Sequence, residues 1–315
     1  MKVLFMGTPD FASNILKNII EENYNVIAVI TQPDKQKGRG KTISFSPVKE
    51  LAIANEIPVY QPVKVREEEN ILLIKELNPD IIIVAAFGQI LPKELLDIPR
   101  YGCINVHASL LPKYRGAAPI QYSIIDGEDE TGITIMYMDV GLDTGDIISQ
   151  ESLRIDKNET GGSLFDKMSK LGSSLLLRTL IEIENGTSSR ELQDESKSTY
   201  VKMINKDMGN IDFNDSAIRI ERLIRGLNPW PSAYTYIEGK MLKIWESEVV
   251  ELNLEEECEV GVIVKIEKDK FIIKTGEGYL AIKEVQLEGK KRMNVSAFLL
   301  GYQLNIGTQF KSRKG

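Results

Sequence analysis

A chain of 315 residues with 42% hydrophobic content can bury a full core, and at about 100–200 residues per domain it has room for two domains. Its formal charge of −7 excludes a generally basic nucleic-acid coat, because non-specific phosphate binding rests on Lys and Arg, so any contact with nucleic acid has to be local. The single histidine, His107, excludes multi-histidine metal sites, and Cys103 and Cys258 stand far apart without metal-ligand partners, as free thiols of a reducing cytoplasm do.

Met1–Met6 is apolar but meets Gly7, Thr8 and Pro9 too soon for a signal-peptide core or a membrane span, so no targeting or membrane segment is expected. Lys2–Met6, Asn25–Thr31, Asp80–Ala86 and Cys103–His107 are short β-rich apolar runs bounded by turn residues, which predicts buried strands. Helical patterns at Phe11–Glu22, Pro47–Asn55 and Glu67–Leu77 separate them, the second opened by Ser46 as cap and Pro47 as first helical residue. This alternation predicts an α/β domain, a Rossmann-like, mostly parallel sheet with helices on both faces.

Strands at Ile133–Met138 and Ile147–Leu153 and an amphipathic helix from about Leu164 to Ile183 complete it. A polar, turn-rich stretch at 189–205 reads as a linker between a first domain, 1–188, and a second, 206–315. The second domain is expected to hold one helix near Ser216–Leu227 and then strands at Ala233–Ile237, Met241–Val249, Val260–Glu267, Lys270–Lys274 and Tyr279–Val285, a small OB-fold-like β-barrel. Glu255–Glu257 reads as a solvated acidic loop, and Trp230, between Pro229 and Pro231, as a buried aromatic rather than a base-stacking one.

A dinucleotide fingerprint would sit after the first strand, but Gly7-Thr8-Pro9-Asp10-Phe11-Ala12 offers one glycine of three. A pyrophosphate then lacks its close backbone approach, which argues against a nicotinamide or flavin dehydrogenase. Gly7 reads as a strand-to-helix turn residue. Asn105 and His107 alternate on one face at the carboxyl end of a predicted parallel strand, the ligand edge of such sheets. The loop Ala108–Pro119 mixes apolar and polar groups and can line a ligand slot, while Asp139, Asp143 and Asp146 compete for a role that spacing does not assign.

Asn-Val-His-Ala-Ser-Leu-Leu-Pro-Lys-Tyr-Arg-Gly from Asn105 and Gly-Leu-Asp-Thr-Gly-Asp from Gly141 resemble the folate-dependent formyltransferase superfamily. The resemblance to its methionyl-tRNA formyltransferase family continues through Gly7–Phe11, Thr31–Asp34, Gly38–Lys41, Ser46–Lys49, Gly116–Gln121 and Asn228–Pro231, more loosely after about residue 250. It implies formyl transfer from 10-formyltetrahydrofolate, with no metal, to the amino group of initiator methionyl-tRNA by a cytoplasmic monomer. It also implies that Asn105, His107 and Asp143 are catalytic and that Ser109, Leu110, Leu111 and Pro112 contact the folate.

Between residues 34 and 49 lie Lys35, Lys37, Arg39, Lys41 and Lys49 against Asp34 as sole acid, a local basic excess in an acidic chain. The resemblance makes this loop, with Lys35, Lys37, Arg39 and Lys41, a contact for the acceptor arm of the tRNA. Lys290, Lys291, Arg292, Lys311, Arg313 and Lys314 are softer candidates in the second domain. Two rivals remain at this level: a sugar-nucleotide formyltransferase, which has little use for a basic loop and a barrel, and an RNA-binding protein that keeps the fold without turnover.

Overall fold

The computed structural model of the protein describes residues 1–37, 42–253 and 258–312. In chain order the first elements are β1 (Lys2–Gly7), α1 (Asp10–Glu21), β2 (Asn25–Ile30), β3 (Lys35–Lys37), β4 (Thr42–Ser44), α2 (Pro47–Ala54), β5 (Val59–Tyr60), α3 (Glu68–Leu77), β6 (Ile81–Ala85), α4 (Lys93–Leu96) and β7 (Cys103–His107). They are followed by β8 (Arg115–Gly116), α5 (Pro119–Ile125), β9 (Glu130–Tyr137), β10 (Ile147–Arg154), α6 (Gly161–Asn185) and β11 (Tyr200–Val201). The chain divides into two compact units, the first made of Met1–Pro119, Glu130–Arg154 and Phe165–Lys202.

The first unit is built on a seven-stranded sheet in the order β10-β9-β7-β6-β1-β2-β5. Its strands run parallel from β7 to β5, and β9 and β10 add an antiparallel edge. β1 and β6 are buried on both faces, which is why their sequences are continuous apolar runs rather than alternating ones. Leu4, Met6, Ala28, Ile30, Ile82, Val84 and Cys103 share one core cluster with Ile74 of α3 and Leu95 of α4. α1 buries Phe11, Ala12, Ile15, Leu16 and Ile19, one stripe at helical spacing, and packs on β1, β2 and β6.

Local signals set the boundaries. Ser46 accepts a hydrogen bond from Lys49 N at 3.1 Å and so caps α2, and α3 ends at Asn78 in a left-handed conformation, φ +48°. Gly7 is needed for close approach, since an added Cβ would lie 2.5 Å from Ala12 Cβ and 2.8 Å from Ala85 O. Among the described residues no helix is long and apolar enough to cross a membrane.

The second unit comprises Ile120–Asp129, Ile155–Leu164 and Met203–Gly315. It holds α7 (Ala217–Gly226), β12 (Ala233–Ile237), β13 (Lys240–Val250), β14 (Ile263–Ile266), β15 (Phe271–Lys274), β16 (Tyr279–Leu287), β17 (Met293–Asn294) and α8 (Val295–Gly301). β12 and β13 are joined by the two-residue turn Glu238-Gly239, both at positive φ, the handedness that matches strand twist. The sheet runs β12-β13-β16-β15-β14 with β17 on β16, antiparallel throughout and open rather than a continuous closed barrel. The last segment bridges its edges: Lys311 exchanges two 3.0 Å hydrogen bonds with Tyr236, and Ile263 N donates to Thr308 O at 2.9 Å.

Trp230 corrects the expectation of a buried aromatic, being 55% exposed. The chain leaving α7 closes on itself through Ser232 N donating to Leu227 O at 2.9 Å, and the loop so formed carries the indole outward. Glu255–Glu257, Arg39, Lys41, Arg313 and Lys314 lie outside the described residues.

Candidate active site

The site is built at the end of β7. Val106 faces α6, where a Cβ added at Gly172 would come within 3.2 Å of its Cγ1, so Asn105 and His107 point to the opposite face. β7 pairs in parallel with β6, Val84 opposite Asn105, and antiparallel with β9, His107 opposite Thr134. The pair is thereby held at the carboxyl edge of the parallel strands.

His107 is buried, 5% exposed. Its Nε2 lies 3.0 Å from Tyr114 O; a carbonyl only accepts, so Nε2 carries its hydrogen here. Nδ1 faces Asp143 Oδ2 at 3.7 Å, a charge contact rather than a hydrogen bond. Asn105 Nδ2 donates to Asp143 Oδ1 at 3.4 Å, and Gly116 N donates to Asp143 Oδ2 at 2.8 Å. One carboxylate thus meets Asn105, His107 and a backbone N–H.

The three aspartates differ in their partners. Asp139 Oδ1 accepts from Gly141 N at 2.9 Å and Thr144 Oγ1 at 2.7 Å, an Asx-type turn that shapes its own loop. Asp146 pairs with Arg190 at 2.5 Å. Asp143 faces inward, at φ +56°, a left-handed conformation that costs most residues energy and that Asp tolerates better than most.

The four expected folate residues are held by β9 and β10. Thr134 Oγ1 donates to Ser109 O at 2.6 Å and accepts from Leu111 N at 3.1 Å, while Gln150 Nε2 donates to Leu111 O at 2.8 Å. The Ser109 side chain is fully buried and donates to Lys113 O at 2.7 Å, and Leu111 packs with Met136 and Ile147. Leu110 and Pro112 are half-buried, the two of the four with surface free for a ligand.

Arg115, Thr134, Gln150 and Gln193 were not singled out by the sequence. Arg115 is fully buried yet charged. Its Nη1 and Nη2 reach Glu195 at 2.9 and 2.7 Å, its Nε and Nη2 reach Gln193 Oε1 at 3.1 and 2.8 Å, and Nη1 reaches Tyr200 Oη at 2.9 Å. The hydrogen bond to Glu195 raises the guanidinium pKa above its ordinary value, against the opposing effect of burial, and the same bond lowers that of Glu195. β8 and β11 pair in parallel beside it, and Gly116 fits there because a Cβ would lie 2.3 Å from Val201 O. The stretch through Lys202 therefore belongs to the first unit and straps the site loop; its signal, one Arg within the His107 motif, is visible in sequence only once its partners are known.

At the base of the basic hairpin β3–β4, Lys49 Nζ donates to Asp34 Oδ2 at 2.5 Å and Gln61 Oε1 at 2.7 Å and sits 3.9 Å above the Phe45 ring. Gln61 Nε2 returns to Asp34 Oδ1 and Gln32 O, both at 2.9 Å. Lys49 is thus committed within the protein. Lys35 and Lys37 lie on β3, whose backbone pairs with β4. In the second unit Arg292 is tied to Glu284 and stacks over Trp245, 4.7 Å from its centroid.

Against known proteins, the formyl transferase family profile matches residues 1–180 and the formyl transferase C-terminal domain profile residues 203–303. The methionyl-tRNA formyltransferase of Lachnospira eligens is 56% identical over 310 residues, 98% of each chain. That of Agathobacter rectalis is 53% identical over 310 residues, 98% of this chain and 99% of its own. Among solved structures WlaRD, a sugar 3N-formyl transferase determined in the presence of dTDP and 5-N-formyl-THF, shares the fold with a TM-score of 0.67 at 24% identity, over 92% of this chain and 99% of its own. With matches of this extent and identity, the chain belongs to the methionyl-tRNA formyltransferase family.

Proposed function

We propose that the protein transfers the formyl group of 10-formyltetrahydrofolate to the free amino group of initiator methionyl-tRNA, giving N-formylmethionyl-tRNA for translation initiation, with Asn105, His107 and Asp143 as its catalytic set. The observation that carries this reading is the convergence of Asn105 and His107 on one carboxylate, Asp143, at the sheet edge, in a chain whose full-length relatives bear that name.

Attack of a neutral amine on the formyl carbon makes an intermediate with a negative oxygen and a positive nitrogen, and the site has to serve both. Asn105 donates its amide to the oxyanion. His107, with Nε2–H committed to Tyr114 O, gains its charge at Nδ1 and places it beside Asp143. Asp143 takes the amine proton, directly or through water, and the departing folate nitrogen receives one back by way of His107, so the transfer is proton-neutral. Ser109, Leu110, Leu111 and Pro112 form the folate wall, the first and third by holding its shape and the others by contact.

Residues 1–188 carry the chemistry, with the stretch 189–202 strapped onto their site loop, and 206–315 bind tRNA; Lys35, Lys37, Arg39 and Lys41 contact the tRNA phosphates. The protein acts as a cytoplasmic monomer. The test is incubation with 10-formyltetrahydrofolate and charged methionyl-tRNA, with formyl-methionine measured after deacylation. Transfer is expected from the parent and a loss of about 10²–10⁴-fold from His107→Ala; no transfer by the parent, with formylation of an amino-sugar nucleotide instead, sinks the assignment of acceptor.

A further inference from the structure

We infer that Gln193 is the positioning residue that holds the Asp143 carboxylate against Asn105 and His107. The inference rests on the reading of Asp143 as catalytic. Gln193 follows the exposed Leu192 and precedes the exposed Asp194, in a stretch whose composition is that of a linker. Its side chain nevertheless makes four hydrogen bonds to nitrogen and oxygen partners, and Nε2 also reaches Met136 Sδ at 4.0 Å.

Nε2 donates to Asp143 O at 2.8 Å and to Gly145 O at 2.7 Å, while Oε1 accepts from Arg115 Nε at 3.1 Å and Nη2 at 2.8 Å. The amide orientation is fixed by these partners, since the flipped form would set its oxygen against two carbonyls and its NH₂ against a guanidinium. Arg115 in turn precedes Gly116, whose N–H donates to Asp143 Oδ2. The bonds close a ring around one residue: Asp143 carbonyl, Gln193, Arg115, Gly116, Asp143 carboxylate.

The loop needs such a brace. Val140 and Leu142 are 67% and 53% exposed, so packing does little to fix it, and Asp143 sits at φ +56°. Only a group with one acceptor and two donors serves a guanidinium and two carbonyls together. Glu at 193 keeps the length and the bond to Arg115 but sets a carboxylate against Asp143 O and Gly145 O; Met keeps the volume and drops all four bonds.

The test compares Gln193→Glu with Asp143→Asn and the double variant in the full-length enzyme, by kcat and KM for methionyl-tRNA, thermal midpoint, and the ring ¹⁵N shifts of His107, the chain's only histidine. Displacement of a reacting group by about 1 Å can cost up to about 10²-fold. Gln193→Glu is expected to lower kcat by about 10–100-fold with KM unchanged, to move the His107 resonances, and to add less than about twofold on the Asp143→Asn background, because coupled residues do not add. If Gln193→Glu lowers the thermal midpoint, Gln193→Met is read by the same criteria. An unchanged kcat, an unmoved His107 signal, or full additivity with Asp143→Asn overturns the proposal alone. A normal kcat in Asp143→Asn itself overturns the catalytic reading and the proposal with it.

Discussion

At the scale of single residues the oxyanion is the point of greatest leverage. One preorganised donor to such an oxygen is worth about 3–4 kcal/mol elsewhere, and among the described residues the Asn105 side chain makes one long hydrogen bond, 3.4 Å to Asp143. Asn105→Ala is therefore expected to lower kcat by about 10²–10³-fold while the thermal midpoint stays close to the parent's; single-turnover formylation beside a melting curve checks both. The pairing of Asn105 with His107 was legible in the sequence, because a two-residue alternation on a predicted strand fixes the face. The choice of Asp143 over Asp139 and Asp146 was not legible from spacing, and only the family resemblance made it. It depends on Arg190 reaching Asp146 and on Thr144 closing the Asp139 turn, contacts that sequence distance does not encode.

Among the elements, the regular ones announced themselves and the short ones did not. Cys103–His107 and Ala233–Ile237 were bounded to the residue, because short runs of strand-forming residues set off by turn residues, Gly102 before the one and Glu238-Gly239 after the other, read as strands. β8 and β11 are two residues each and exist because Tyr200 and Val201 find Arg115 and Gly116; Tyr and Val favour strands, but two residues are too short a run to mark one. α8 did carry signals, Asn294 before it and Gly301 at its end, and was still missed behind the strand pattern. The base of the basic hairpin is a further tertiary product. The Lys49 ammonium, and after it Gln61, hold the Asp34 carboxyl below the usual carboxylate range. A carboxylate with a depressed folded pKa stabilises the fold fully above its unfolded value, about 4, and this is lost as pH falls through the lower folded value. Parent protein should accordingly lose more stability than Asp34→Asn when acidified below about pH 4, as denaturant midpoints across pH would record; parallel curves would contradict it.

For the whole molecule, the acidic chain and its local basic hairpin describe an enzyme whose field is not built for nucleic acid in general. The fold is shared with a sugar formyl transferase, so the fold alone does not choose the acceptor. The proposed function has Asn105, His107 and Asp143 acting as one unit on a formyl group bound for methionyl-tRNA. The most direct test is single-turnover transfer from 10-formyltetrahydrofolate to methionyl-tRNA by the parent, by each of Asn105→Ala, His107→Ala and Asp143→Asn, and by the triple variant. A unit predicts that the triple variant is nearly as active as the weakest single one, because groups acting together are grossly non-additive. Losses that multiply across the three, or a parent that leaves methionyl-tRNA unformylated, would contradict it.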